Sequence, residues 1–263
     1  MGGAFVAVAD DATATWWNPA GLASNSFFDT TLELGRGSDP ARTRAGGFAA
    51  KVLGLGLSYY RLQLREIRAV GPTGAEPVNR QDQAVLTLLG VTTGQSLGEY
   101  VVVASTLRLA QAGDTHVDFD AGVMASGGGA RLGLTVRHLT EPSFGSGADW
   151  FQLTRQVRAG AALVGRGRGP VGDLILAFDA DLTKTPTAFG EVRHAAAGAE
   201  AWVMGRRVGV RGGLSASTIG DANLSPSGGL SLGVRRGLYL DGGITGGSDQ
   251  ARRGWVVGLR ATF

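Results

Sequence analysis

Apolar and polar positions alternate along most of this chain. Ala130, Leu132, Leu134 and Val136 fall on one side of the alternation, with Arg131, Gly133, Thr135 and Arg137 on the other. Val117, Phe119 and Val123 oppose His116, Asp118 and Asp120; Leu174, Leu176, Phe178 and Leu182 oppose Asp173, Asp179 and Asp181. Val208, Val210 and Leu214 oppose Arg207, Gly209, Arg211 and Ser215. A period of two is the signature of a strand with one greasy and one polar face. The pattern predicts 14 strands, at 27–37, 44–52, 55–66, 82–94, 99–110, 114–125, 130–139, 150–163, 172–183, 193–204, 207–217, 227–235, 238–246 and 252–263. A tilted strand needs about 9–11 residues to cross a bilayer, whereas strands of soluble proteins average about 5–6. The predicted lengths fit the bilayer.

The connections alternate as well. Leu53-Gly54, Gly127-Gly128, Gly205-Arg206 and Arg236-Gly237 are tight, whereas Ile67–Gln81, Thr140–Asp149, Lys184–Val192 and Thr218–Pro226 are long, with Gln111–Gly113 as an exception. Short turns on one rim and longer loops on the other are the layout of outer-membrane barrels, and an even strand count returns both termini to the short-turn side. The fold class expected is therefore all-β, a 14-stranded antiparallel transmembrane β-barrel. The last strand ends on Phe263 with Ala261, Leu259, Val257 and Trp255 on one face. This resembles the C-terminal insertion signal of bacterial outer-membrane barrels, although that signal more typically has an aromatic residue where Ala261 stands.

Composition narrows the alternatives. Glycine supplies 44 of 263 residues without a Gly-X-Y period, which excludes collagen and discourages helices. In strands, such residues allow curvature and close approach. Proline is only 8 and hydrophobic residues make up 43%, so the chain is not a disordered linker. With no cysteine there is no disulfide, thiolate metal site or Cys nucleophile. The net charge of +3 is spread out, with no basic stretch that would mark a nucleic-acid partner. No run is long and apolar enough for a membrane helix; Gln83 to Gly98 is interrupted by Gly and Thr. Trp150, Phe151, Trp202, Tyr239 and Trp255 lie near predicted strand ends, as an aromatic belt requires.

Residues 1–26 do not alternate. They contain Gly2-Gly3-Ala4, Ala9-Asp10-Asp11-Ala12, Trp16-Trp17 and Asn18-Pro19-Ala20-Gly21-Leu22. This stretch resembles the N-terminal region of the FadL and PorV/PorQ group of outer-membrane proteins. The resemblance implies a plug segment, 1–26, folded inside a barrel formed by 27–263, with Phe5, Asp10, Asp11, Trp16, Trp17, Asn18 and Pro19 as plug or ligand residues. It also implies an export signal upstream of the Gly-Gly, absent from the sequence as given, and location in the bacterial outer membrane. On physical grounds Asn18-Pro19 initiates a turn, and Ala12–Trp17 forms a short helix capped by Asp10 or Asp11. The acidic pair also has lumen arginines to meet.

With apolar faces toward lipid, the opposite faces line the lumen: Arg131, Arg137, Arg207 and Arg211 against Asp118, Asp120 and Asp179, with Arg108, Arg158, Arg235, Arg260, Asp173 and Asp181 on the same faces. Such residues cross-link a wall by ion pairs, or form a weakly cationic passage. His116, His138 and His194 have no metal-ligand spacing, no Ser-His motif suggests hydrolysis, and the glycine runs lack a phosphate-loop Lys. The chain is therefore expected to be neither an enzyme nor a cofactor or metal protein. The resemblance implies passive uptake of small hydrophobic or amphipathic molecules, with membrane lipids and a hydrophobic small molecule as partners. The alternative within the same resemblance is a docking or assembly component that holds a secreted or surface protein. The short average span per strand leaves no room for a large external substrate-catching domain.

Overall fold

The computed structural model describes residues 1–23, 26–38, 43–70, 78–146, 150–167, 171–187 and 190–263, with backbone alone over 64–70, 78–84, 187 and 190. The strands run β1 (Phe28–Gly37), β2 (Arg44–Val52), β3 (Leu55–Val70), β4 (Val78–Leu97), β5 (Val101–Ala112), β6 (Asp114–Gly127) and β7 (Ala130–Arg137). A hairpin of β8 (Ser143–Phe144) and β9 (Phe151–Gln152) follows, then β10 (Gln156–Arg166) and β11 (Val171–Asp181). After a second hairpin, β12 (Thr185–Thr187) and β13 (Gly190–Val192), come β14 (His194–Val203), β15 (Val208–Ser217), β16 (Ser225–Arg235), β17 (Leu238–Thr245) and β18 (Gly254–Thr262).

Leaving the two hairpins aside, 14 strands close into one antiparallel barrel in sequence order. The ring is sealed by β1 on β18, in register from Asp29↔Thr262 to Gly37↔Gly254. Closure removes both sheet edges, so the backbone groups of every strand find partners without water.

Solvent preference is inverted relative to a soluble protein. Leu55, Leu132, Leu163 and Ile244 are each at least 59% exposed on the outer face, while Asp118, Asp179 and Lys51 are at most 1% exposed inside. An apolar band on this scale is stable only against another apolar medium. The interior compensates for its polarity by internal hydrogen bonding.

The 14 expected segments are the 14 barrel strands. Three boundaries differ by more than three residues. β3 and β4 continue to Val70 and from Val78, in register to the last pair, so the expected Ile67–Gln81 loop shrinks to 71–77, which lies outside the described residues. The eighth barrel strand starts at Gln156 rather than at residue 150. Phe151 and Gln152 pair locally with Phe144 and Ser143 instead, and the β8–β9 hairpin detaches them from the wall.

Candidate functional site

Residues 1–23 pack against glycines of β2, β3, β6, β7, β10, β14 and β15 and are the most completely buried stretch among the described residues. Ala4, Val6, Ala12, Ala14, Thr15, Asn18 and Leu22 have no accessible surface. This inner segment is mostly turns, with one helical turn, α1 (Ala14–Trp17), and a 3-10 turn over Pro19–Ala23. The helix is shorter than Ala12–Trp17 and has Thr13, not Asp10 or Asp11, at its N-cap position. Asp11 serves one turn earlier, its Oδ1 accepting the Thr13 N–H at 2.9 Å. Asn18 closes the expected turn, its Oδ1 accepting the Ala20 N–H at 3.1 Å, with Pro19 buried at the start of the 3-10 turn.

Inward-facing glycines make room for the segment. Gly47 lies against the Trp16 ring, Gly122 against the Asn18 side chain, Gly133 and Gly160 against Val6, and Gly198 against Met1. A Cβ at Gly133 would stand 2.6 Å from the Val6 carbonyl oxygen, and one at Gly47 2.7 Å from the Trp16 ring. Two wall carboxylates hold the backbone. Asp179 Oδ2 accepts the Phe5 and Val6 N–H groups at 2.7 and 2.9 Å, and Asp29 Oδ1 accepts that of Ala12 at 2.8 Å. The Asn18 side-chain amide donates to Val6 O at 2.9 Å and to Val123 O on β6 at 3.2 Å, tying two parts of the segment to one strand.

Charged groups complete the contact. Asp10 meets Arg131 at 3.3 Å and Asp11 meets Arg260 at 3.9 Å. Removal from bulk water and the neighbouring Asp11 carboxylate push the Asp10 carboxyl up from its ordinary value, against the pull of Arg131. Arg108 pairs with Asp120 and donates to Thr15 O at 3.4 Å, which links β5 and β6 to α1. Around the wall, Arg158 meets Asp181 at 2.5 Å, and Arg211 meets Asp241 at 2.7 Å and Glu200 at 3.8 Å. Arg137 also faces inward, with its buried Nε lacking a partner among the described residues. Arg207 differs from the lumen position expected of it. It precedes β15 in the turn at the short-turn rim and is exposed there.

Asp118, Asp120 and His138 place one potential ligand atom each within 4.8 Å of the others. Their lone pairs are already engaged. Asp118 Oδ2 lies 2.7 Å from His138 Nδ1, its Oδ1 accepts from Phe119 N–H and the Thr140 hydroxyl, and Asp120 takes the His138 N–H at 3.0 Å as well as Arg108. This donor set fastens the end of β7, where His138 takes a φ of 56°, and does not fit a cation.

Aromatic side chains gather on the inner segment. Phe5 stacks on Trp17 with centroids 5.0 Å apart, and Trp16 meets the Tyr60 ring edge-on at 5.7 Å. The Trp16 Nε1–H is buried without an acceptor among the described residues. Nearer the long-loop rim, Phe144 is buried between His116 and Phe151, at 4.9 and 5.1 Å. Phe144, Tyr60 and His138 are not singled out by sequence reasoning. A lone aromatic in a loop and a histidine ending a strand carry no periodic signal.

No protein-family model matches the chain, and neither does any curated protein. Among solved structures, the Ralstonia pickettii toluene transporter TbuX superimposes with a TM-score of 0.67 at 11% identity, covering 100% of this chain and 96% of that one. The CymD monoaromatic hydrocarbon channel gives 0.66 at 10% identity, covering 98% and 94%. The chain shares the barrel fold of these two proteins. The likeness spans the whole chain, inner segment included. Both similar structures are transport channels, and the docking alternative draws no support from them.

Proposed function

We propose that this chain is an outer-membrane conduit that admits small hydrophobic or amphipathic molecules passively, with residues 1–26 as a plug across its lumen. The observation that carries the reading is the pairing of the aromatic side chains Phe5 with Trp17 and Trp16 with Tyr60 on the inner segment, within a wall that carries many polar and charged groups. Such a group offers an apolar ligand a favourable stop on the inner segment. The proteins of like fold carry toluene and monoaromatic hydrocarbons by name, and small aromatic molecules are the substrate class we assign here.

The chain's own residues supply the mechanism. Phe5 and Trp17 stack through exchangeable ring contacts, so a flat ligand replaces one ring by another at little net cost. The Trp16 N–H, without an acceptor among the described residues, adds a donor for amphipathic ligands carrying an acceptor. Asp179 and Asp29 hold the segment by backbone hydrogen bonds that survive small side-chain shifts. No step consumes energy; a concentration gradient drives net inward flow.

Toluene added to the detergent-solubilised protein is expected to raise its Tm. Binding at 100 times Kd contributes about 2.7 kcal/mol, and each kcal/mol corresponds to about 2–4 °C at this size. The Trp16→Ala/Trp17→Ala double variant is expected to lose that shift. An equal shift in both proteins would remove the site from the inner segment.

A further inference from the structure

Three arginines occupy positions on the barrel's outer, lipid-facing side. On β1, Leu32, Leu34 and Arg36 share the outward face; on β2, Phe48 and Arg44 share it; on β3, Leu57, Tyr59 and Arg61 share it. All three arginines are exposed; Arg36 and Arg44 stand at the long-loop ends of β1 and β2, and Arg61, within β3, lies near the same height. The register places them side by side. Arg36 stands directly opposite Arg44, Trp255 opposite Arg36, and Gln63 opposite Arg44. Arg61 lies one row lower opposite Gly46, which has no side chain to separate it from Leu34.

None of the three has a carboxylate partner among the described residues. The lumen arginines Arg108, Arg158, Arg211 and Arg260 are all paired. Other unpaired arginines, such as Arg207 and Arg236, sit in turns at the short-turn rim where water solvates them. Arg36 and Arg44 are instead like charges directly opposed on a ladder, an arrangement that destabilises unless an anion lies between them. Next to them a depression of about 270 Å³ is lined by Arg36, Gly37, Ser38 and Trp255.

We propose that Arg36, Arg44, Arg61 and Trp255 form a binding site for the phosphate groups of a phosphorylated lipid in the leaflet at the long-loop rim. A phosphate monoester carries close to two negative charges and bridges two guanidiniums by paired N–H···O bonds, which turns their repulsion into attraction. The aliphatic arginine stems lie along the apolar band while the charged ends reach the headgroup plane. Trp255, 49% exposed at the same height, belongs at the polar edge of the acyl region. The inference rests on the outer-membrane reading but not on the identity of the transported molecule.

The test is native mass spectrometry of the full chain in detergent. The chain is offered in turn bis-phosphorylated lipid A, the same lipid dephosphorylated, and phosphatidylglycerol. Retention of the phosphorylated form is expected to exceed that of either other lipid by at least ~10-fold, given the strength of arginine–headgroup attraction. The R36Q/R44Q/R61Q variant is expected to lose the preference while keeping the heat-modifiable gel mobility of the native barrel. If that variant does not fold, R44Q alone is expected to lose most of the preference. Equal retention of phosphorylated and dephosphorylated lipid, an undiminished preference in the variants, or equal binding of phosphatidylglycerol would each overturn the proposal. Toluene stabilisation is read on the same samples; its absence bears on the conduit, whereas the lipid comparison alone decides this site.

Discussion

His138 holds a left-handed backbone conformation at the end of β7, which a residue with a Cβ adopts only when its surroundings enforce it. The enforcement comes from Asp118 and Asp120, which take its ring Nδ1 and its N–H. Replacing Asp118 by Ala would leave the buried imidazole without its acceptor and take one acceptor from the Thr140 hydroxyl and the Phe119 N–H. The expected loss is about 2–5 kcal/mol, read from the urea midpoint of the barrel in micelles. An unshifted midpoint would show that the cluster does not fasten the strand. Asp10 gives a pH test at the same scale. Its carboxyl is raised in the folded chain, so its stabilising contribution is complete below about pH 3.9, the ordinary carboxylate value, and fades as pH rises through the raised value. Asp10→Asn is therefore expected to melt above the native chain at pH 8, by a margin that shrinks toward pH 4. A margin independent of pH would contradict this. The sequence made residue types and faces legible here, but not partners. Asp118 and Asp120 read as inward acids, while His138, 20 residues from Asp118 in the chain, carried no sign that it would close the cluster.

Among the elements, the inner segment depends on what the wall lacks. Gly133 sits under the Val6 carbonyl and Gly47 under Trp16, so side chains there compete with the segment for one space. Gly133→Val is expected to dislodge residues 1–23 while leaving the barrel closed, because Val is a good strand former. Single-channel conductance in planar bilayers should then rise above that of the native chain. Gly228→Val, where nothing lies within 4 Å, is the matched control and should leave conductance unchanged. Equal conductance in both variants would mean that the segment does not obstruct the lumen. The barrel strands were legible because two solvents impose a strict period of two on them. The start of β10 was not, because Phe151–Gln152 alternates acceptably and only its local pairing with Ser143–Phe144 removes it from the wall. The glycine seats were visible as inward glycines, without an indication of which part of the chain would press on them.

At the scale of the whole molecule, the architecture follows from one inversion: apolar outside, polar and charged inside, with residues 1–23 packed against the inward glycines of the wall. The strand count, the alternation of turns and loops, and the ring order could be read from sequence, since each is a property of spacing. The closed register and the aromatic cluster on the inner segment could not, because they depend on contacts between segments far apart in the chain. Arg207 shows the boundary between the two kinds of information. Its parity is inward, but β15 begins one residue later, so its side chain ends in water at the rim.

The proposed route takes small aromatic molecules across the outer membrane through this barrel by way of Trp16 and Trp17. It is tested most directly by the uptake of labelled toluene into cells with an intact outer membrane, with and without the chain. Cells bearing the native chain are predicted to accumulate label several-fold faster, and cells bearing equal amounts of inserted Trp16→Ala/Trp17→Ala to return to the rate of cells lacking it. Identical rates in all three would contradict the account.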